Sequence, residues 1–186
     1  MSRYFTKSVF KEAMECPLRL NYCNRKEYAN QNLMDDFLIA LADGGFQVGE
    51  LAKIYYSVPI ENDLTGTNEE IAARTSELLK QENVTIAEAG FIWKNCFCRV
   101  DILKKTGDRI DIIEVKAKSW NSENSFLTKR KSGDIPKGAI SSIIRKYVYD
   151  VAFQKYVVSN ALNGFSIHAY LMMADKQKTA NVDGLN

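Results

Sequence analysis

The beginning of the chain places apolar residues at helical spacing. Thr6 or Ser8 can cap a first helix that reaches about Tyr28. Pro17 lies inside this segment and is expected to mark a break or a second start, because proline lacks the N–H that a continuous helix requires. The pattern therefore predicts an N-terminal helical segment in two pieces.

Two further helices are predicted before residue 82. Apolar residues recur at helical spacing over 35–55, where Gly44 and Gly45 are expected to split or bend the helix. Thr67 followed by Glu70 is the pattern of a capping box and predicts the start of a third helix, which ends near residue 81.

The pattern then changes to the alternation that is typical of strands. Three strands are predicted at 84–93, 96–105 and 109–118, with short polar connections that favour hairpins. A polar stretch follows, helical spacing returns over 141–162, and a last strand is predicted at 165–174.

This order of elements predicts the fold class. Helices, three strands, a helix and a strand indicate an α/β (α+β) fold with a mixed central sheet of about four strands, flanked by helices and preceded by extra N-terminal helices. The last strand is expected to lie parallel to a neighbour, because a helix connects it to the preceding strand. The chain is interpreted as one domain, 1–186, comprising an N-terminal helical segment at 1–34, a core at 35–174 and a tail at 175–186.

Composition supports a globular protein without a membrane anchor. Of the 186 residues, 46% are hydrophobic and 26% are charged, which are ordinary proportions for a folded domain. No stretch approaches the roughly 20 apolar residues of a membrane span, and the N-terminus lacks the apolar region of a signal peptide. The four cysteines do not form a dense secreted framework, so a cytoplasmic protein with reduced thiols is expected.

The formal net charge of +2 conceals an uneven distribution. Residues 1–98 contain 10 basic and 14 acidic side chains, whereas residues 99–155 contain 13 basic and 7 acidic ones. A local excess of positive charge suits contacts with phosphates. A solvated, lysine-rich surface is the alternative interpretation.

The stretch "IDIIEVKAK" at 110–118 carries charges at the end of an otherwise apolar strand. Because side chains alternate along a strand, Glu114 and Lys116 are predicted to share a face with Ile110, Ile112 and Lys118, opposite Ile113, Val115 and Ala117. A charge in a protein interior is costly unless it is paired or bound to a metal. The stretch therefore indicates either a buried charge cluster with a function or a simple surface pair.

The preceding strand supplies a second carboxylate. It is predicted to place Arg99, Asp101 and Leu103 on one face, and Cys98, Val100 and Ile102 on the other. If the hairpin brings Asp101 to the face of Glu114, two carboxylates and a lysine converge at one edge of the sheet. Oxygen ligands of this kind suit Mg²⁺ or Mn²⁺; a salt bridge between Asp101 and Arg99 is the alternative.

Asp101, followed 13 residues later by Glu114-Val115-Lys116, resembles the PD-(D/E)XK nuclease superfamily. Val100 stands where the nominal motif has a proline. The order of elements is also similar to that of the superfamily's restriction-endonuclease-like core. Within the superfamily the chain most resembles the RecB-type branch, to which CRISPR-associated RecB-like nucleases are related, because Gln154 lies on the helix after the lysine strand. The tyrosine that is common four residues later is replaced by Val158.

The resemblance implies a metal-dependent nuclease that hydrolyses phosphodiester bonds, with DNA as the expected substrate. It implies that Asp101, Glu114 and the Val115 carbonyl bind Mg²⁺ or Mn²⁺, with Glu50 as a further acidic ligand in place of an early histidine. Lys116 would assist the attacking water, and Gln154 would help to position it. The alternatives are that Glu50 merely pairs with a lysine on its own helix and that Gln154 is a satisfied core residue.

The basic residues of 99–155 are the candidate nucleic-acid contacts. The set expected to face DNA comprises Arg99, Lys118, Lys129, Arg130, Lys131 and Arg145. A solvated surface remains the alternative for several of them. A second hypothesis assigns the chain to another class, a catalytically silent nuclease-like module that binds or assembles within a larger protein.

Cys16-Pro17 adds a further hint. Some RecB-type nucleases have Cys-Pro near the N-terminus, and that cysteine joins three C-terminal cysteines in binding an iron–sulfur cluster. No cysteine follows Cys98 here, so a cluster is not expected in this chain. Two interpretations stay open: the chain is the N-terminal part of a longer protein with further domains, or it has no cluster.

Overall fold

The computed structural model describes most of the chain. The described residues are 4–22, 25, 27–28, 36–62, 65–121, 126–128, 137–175 and 177. Most of the predicted tail, 175–186, and the basic residues Lys129, Arg130 and Lys131 lie outside them.

Within these residues the chain forms four α-helices, a short 3₁₀-helix and six strands. The helices are α1 (Lys7–Glu15), the 3₁₀-helix (Pro17–Asn21), α2 (Asp36–Tyr55), α3 (Asn68–Leu78) and α4 (Ser142–Ala161). The strands are β1 (Phe5–Thr6), β2 (Ile60–Glu61), β3 (Asn83–Trp93), β4 (Cys96–Thr106), β5 (Arg109–Trp120) and β6 (Ser166–Asp175). The fold is a mixed α/β arrangement.

The predicted helices are present, but some of their bounds differ from the prediction. The side chain of Thr6 caps α1, and Pro17 opens the separate 3₁₀-helix, so the first helix ends at Glu15 and does not reach Tyr28. The capping box at the start of α3 is present with both of its hydrogen bonds. The expectation that Gly44-Gly45 splits the helix is wrong, because α2 runs through both glycines without interruption.

The sheet is mixed, with four long strands and two strands of two residues. Its order is β2-β3-β4-β5-β6, and β1 pairs with β4. β3, β4 and β5 form an antiparallel meander, while β6 lies parallel to β5 as the connecting helix predicted. The short strands β1 and β2, each parallel to its neighbour, were not predicted.

Two apolar clusters hold the sheet between helices. The main cluster joins the central strands to Phe153 and Val157 of α4, and the ring of Phe10 on α1 stacks on that of Phe153 at 5.3 Å. The smaller cluster joins Ala52 of α2 to Ile102 and Ile113. α1 and α4 are therefore fixed to one region of the sheet and α2 to another.

No helix within the described part of the chain is long and apolar enough to cross a membrane.

The packing of α3 on β3 depends on Gly90. A Cβ atom at this position would lie 2.7 Å from Cγ2 of Ile71 and 3.4 Å from the ring of Phe97. The backbone N–H of Gly90 also donates a hydrogen bond to Oγ1 of Thr75, at 2.8 Å. The helix and the strand are thus close enough that a methyl group at this position would overlap the side chain of Ile71, which would have to shift.

We expect Gly90→Ala to lower the free energy of unfolding by about 1–3 kcal/mol, because the added methyl overpacks the contact with Ile71. The measurement is urea denaturation. Gly44→Ala is the matched control: no atom lies within 4 Å of its Cβ position, and in the interior of a helix the change should stabilise by about 0.5–1 kcal/mol. A neutral Gly90→Ala would contradict the close approach of α3 and β3.

Candidate active site

The site lies where β4 and β5 separate. Their antiparallel pairing extends only as far as Ile102 and Ile113. Beyond that point β4 pairs with β1, and β5 continues alongside β6. The next residue on each strand is a carboxylate, Asp101 on β4 and Glu114 on β5, so both predicted acids lie at the same fork in the sheet.

Asp101 occupies the fork itself. Its Oδ2 accepts a hydrogen bond of 2.7 Å from the backbone N–H of Val115. A backbone N–H that is shielded from water needs a partner. Here the carboxylate of Asp101 accepts the hydrogen bond that the backbone of β4 would accept if the two strands were still paired. Asp101 therefore both closes the fork and stands beside Glu114.

The side-chain alternation of β4 is interrupted at this point. Cys98, Val100 and Leu103 all belong to the main core cluster, while Ile102 belongs to the smaller one. The prediction that Leu103 and Val100 face opposite sides is therefore wrong.

The neighbouring strand β3 shows the same shift and supplies the physical reason. Ile86 and Ala89 both belong to the main cluster, and Glu88 between them has a positive φ of 56°. The strands pair on either side of this point, Ala87 with Ile102 and Ala89 with Val100. Glu88 and Asp101 thus lie opposite one another at a kink that alternation alone does not reveal.

Glu114 is a fully buried charge at the fork. Its relative exposure is 0%. The ammonium of Lys7 donates to both carboxylate oxygens, at 2.8 and 2.9 Å. Lys116 donates to Oε1 and the side-chain amide of Gln154 to Oε2. The charge is paired by three donors from three elements, α1, β5 and α4.

A second buried carboxylate extends this arrangement. Asp150 on α4 has a relative exposure of 0%, and its Oδ2 lies 3.2 Å from Nζ of Lys116 and 3.4 Å from Nζ of Lys11. Positive and negative groups therefore alternate in a series that we call the ion-pair chain: Lys7, Glu114, Lys116, Asp150 and Lys11.

The electrostatics distinguish the two acids of the fork. Burial, reinforced by the charge of Glu114, raises the pKa of Asp101 to about 6. Burial acts in the same direction on Glu114, but the charges of Lys7 and Lys116 outweigh it and lower the pKa of that carboxyl. Burial would lower the pKa of Lys116, yet Glu114 outweighs it and raises that pKa. At neutral pH the site therefore contains two carboxylates and a firmly protonated Lys116.

Three cavities that share lining residues lie at the fork, and we refer to them together as the groove. The central one, about 420 Å³, is lined by both carboxylates of the fork and by Lys116. Asp101, Lys7 and Arg99 also line a cavity of about 530 Å³. On the other side, Lys116 and Val115 line a cavity of about 560 Å³. An extended substrate could cross the site along this groove.

The structure brings most of the predicted site residues together. Gln154 donates to Glu114 and also, at 3.0 Å, to the carbonyl of Arg99. Glu50 lines the central cavity but forms an ion pair of 2.7 Å with Lys53 on its own helix. Lys118 lines the third cavity of the groove.

Among the predicted site residues that the structure describes, Arg145 lies away from the groove. It lies on α4, bonded to the carbonyl of Ile140 at 3.1 Å, and lines a separate cavity of about 360 Å³. Its position does not favour a direct contact at the groove.

Three residues of the site were missed by sequence reasoning: Lys7, Lys11 and Asp150. Asp150 lies four residues before Gln154, so both share one face of a helix, and this spacing could have identified it. Lys7 and Lys11 have the same spacing on α1, but nothing in the sequence indicates where that helix docks.

The oxygen donors of the fork fit a divalent cation. Mg²⁺ prefers oxygen ligands and is commonly bound through one or two carboxylates while keeping several waters. Asp101 and Glu114 are close enough that the charge of one raises the pKa of the other, and a shared cation would relieve this repulsion. In the part of the chain that the structure describes, no group of three or more His, Cys, Asp and Glu side chains is arranged to hold a metal ion, so a cation here would rely on two carboxylates, backbone and water.

A comparison of the chain with protein-family models, with curated proteins and with solved structures finds no match.

The raised pKa of Asp101 predicts how the free energy of unfolding depends on pH in the absence of metal. The pKa of Asp101 is raised from 3.8 to about 6 in the folded state. The folded state therefore binds the carboxyl proton of Asp101 more tightly than the unfolded state does. The contribution of this group to stability falls as pH rises from about 4 to about 6. Asp101→Asn keeps an oxygen acceptor for Val115 and removes the repulsion. We expect it to raise the free energy of unfolding by about 1–3 kcal/mol at pH 8, and the gain should vanish near pH 4.

Urea denaturation in a chelator at the two pH values measures this effect. Asp111→Asn is the control, because Asp111 lies on the same sheet but accepts a hydrogen bond from Arg109 at 2.9 Å, and it should give no such gain. An Asp101→Asn protein that is less stable than the wild type at pH 8 would contradict the assigned repulsion.

Proposed function

We propose that the protein is a metal-dependent nuclease with a restriction-endonuclease-like core, acting on phosphodiester bonds of nucleic acid, with DNA as the expected substrate. The observation that carries the proposal is the meeting of Asp101, Glu114 and Lys116 at a fork between two strands, inside a groove. The order of β3, β4, β5, α4 and β6 supports it, since it is the order implied by the nuclease resemblance.

Asp101 and Glu114 would hold Mg²⁺ or Mn²⁺, together with the carbonyl of Val115. Glu50 lines the same cavity and would have to leave Lys53 to join them. When bound, such an ion supplies positive charge to a phosphate oxygen and lowers the pKa of a coordinated water.

Lys116 is the residue best placed to act on the phosphate. Its ammonium lies between Glu114 and Asp150, and its raised pKa keeps it protonated at neutral pH. This favours a role as a fixed positive charge and proton donor toward the developing negative charge over a role as general base. Gln154 supports that position by bonding the carboxylate that Lys116 also bonds.

The groove suits a polyanion. Arg99 and Lys118 line its outer cavities, and the excess of basic residues in 99–155 surrounds the site in sequence. Binding through such contacts depends on counterion release and should weaken as salt rises.

A silent nuclease-like module is the second candidate function. The observation that favours it is charge balance: Lys7, Lys11 and Lys116 already match Asp101, Glu114 and Asp150 one for one. An internally neutralised cluster can hold a fold together without any metal. Calorimetry with Mn²⁺ separates the two functions, because a module should show no binding at millimolar metal while a nuclease should bind.

We expect the wild type to cleave DNA in the presence of Mn²⁺, and Lys116→Ala to lower the cleavage rate about 100-fold or more, because it removes the positive charge beside the phosphate. Gel assays with single- and double-stranded DNA measure this.

Lys118→Ala is the matched control, since it removes a lysine two residues away that is exposed in the groove. It should weaken DNA binding most at low salt, where the phosphate contact contributes most, and leave the rate with saturating DNA nearly unchanged. Equal activity of wild type and Lys116→Ala would contradict the assigned role.

A further inference from the structure

Lys7 is placed on Glu114 by the fold and not by a chance surface contact. Its side chain is 25% exposed and bonds both oxygens of a carboxylate 107 positions away. Its backbone position is set on both sides: Phe5 and Thr6 pair with β4, and Phe10 stacks on Phe153 of α4. The start of α1 is therefore fixed against the sheet and α4, and this places the ammonium of Lys7 at the fork.

Both oxygens of Glu114 keep a hydrogen-bond donor without Lys7. Without it, Oε1 would still accept from Lys116 and Oε2 from Gln154. The other two donors come from the elements that build the site, β5 and α4, whereas Lys7 comes from α1. Lys7 is therefore an additional cation on a carboxylate that is already hydrogen-bonded.

The position of this ammonium is the one that a divalent cation would require. A metal held by Asp101 and Glu114 needs an oxygen of Glu114 on the side of the central cavity. Lys7 lines that cavity together with both acids. Lys7 bonds both oxygens of Glu114, and Lys116 already shares Oε1 with it. A divalent cation added to these oxygens would lie at contact distance from the ammonium of Lys7, and its two charges would repel that ammonium strongly in a partly desolvated site.

There is room for Lys7 to leave. Its side chain also lines the adjoining cavity of about 530 Å³, with Ser8, Asn68 and Arg99 among the other walls. The long, flexible side chain can swing there while α1 stays docked through its aromatic contacts.

We propose that Lys7 is a resident counter-cation of the metal site, which a divalent cation must displace from Glu114 in order to bind, so that Lys7 sets the metal affinity of the protein. This rests on the proposed metal site. It adds to that site the competition between Lys7 and the metal for the carboxylate of Glu114.

The test is calorimetric titration of the full chain with Mn²⁺. Lys7→Met keeps the aliphatic length and removes the charge, and we expect it to bind Mn²⁺ about 10-fold or more tightly than the wild type, within the range usual for coupled ligands. Lys7→Arg keeps the charge and should bind no more tightly than the wild type.

Lys80→Met is the matched control. It removes a lysine that is 72% exposed and pairs with Glu77 outside the site, so its affinity for Mn²⁺ should match that of the wild type. Equal affinities of Lys7→Met and wild type would overturn the proposal while leaving the metal site intact. No binding by either protein would overturn the metal site itself, and the proposal with it.

Loss of Lys7 could also loosen α1. Circular dichroism and urea denaturation of each variant check folding, and Lys7→Gln provides a second uncharged variant that still offers a donor to Glu114. If Lys7→Met is unfolded, the comparison is made with Lys7→Gln, for which the same tightening is expected and its absence overturns the proposal.

Discussion

An ionised carboxylate that is fully removed from water costs several kcal/mol unless other groups compensate it, and Glu114 is in that situation. Its compensation comes from three donors on separate elements: Lys7, Lys116 and Gln154. Side chains of α1, β5 and α4 therefore meet on one charge. Removing one of these donors would leave the charge less compensated, which costs free energy.

The sequence allowed much of this fold to be predicted, because its strands alternate clearly and its hairpins are short. The four long strands were predicted within two residues of their observed bounds, and Glu114, Lys116 and Gln154 were expected to meet. The split expected at Gly44-Gly45 was wrong, because α2 continues through both residues. A propensity cost of about 1 kcal/mol per glycine lowers the stability of a helix without ending it.

What could not be predicted depends on three-dimensional placement. The alternation of side chains along β4 is interrupted beside Asp101, which lies opposite Glu88 with its positive φ. No pattern of residues in the sequence indicates this interruption. Lys7 and Lys11 reach the site only because α1 docks on α4 through aromatic rings. A lysine on a polar helix face has no sequence signal that distinguishes it from a solvated one, so its role becomes visible only once the buried carboxylate beneath it is located.

The same charges that stabilise the site also restrain its chemistry. With three lysines facing three carboxylates the cluster is neutral, and a neutral cluster has little attraction for a phosphate. If Lys7 leaves Glu114 for the adjoining cavity while a divalent cation takes its place, the cluster gains two positive charges and the ammonium moves along the groove, away from the carboxylate. Both changes favour a polyanion. A site of this kind would be held in a stable, inactive arrangement by the lysine that later faces its substrate, and the cost of displacing that lysine would set the metal concentration at which the site becomes competent.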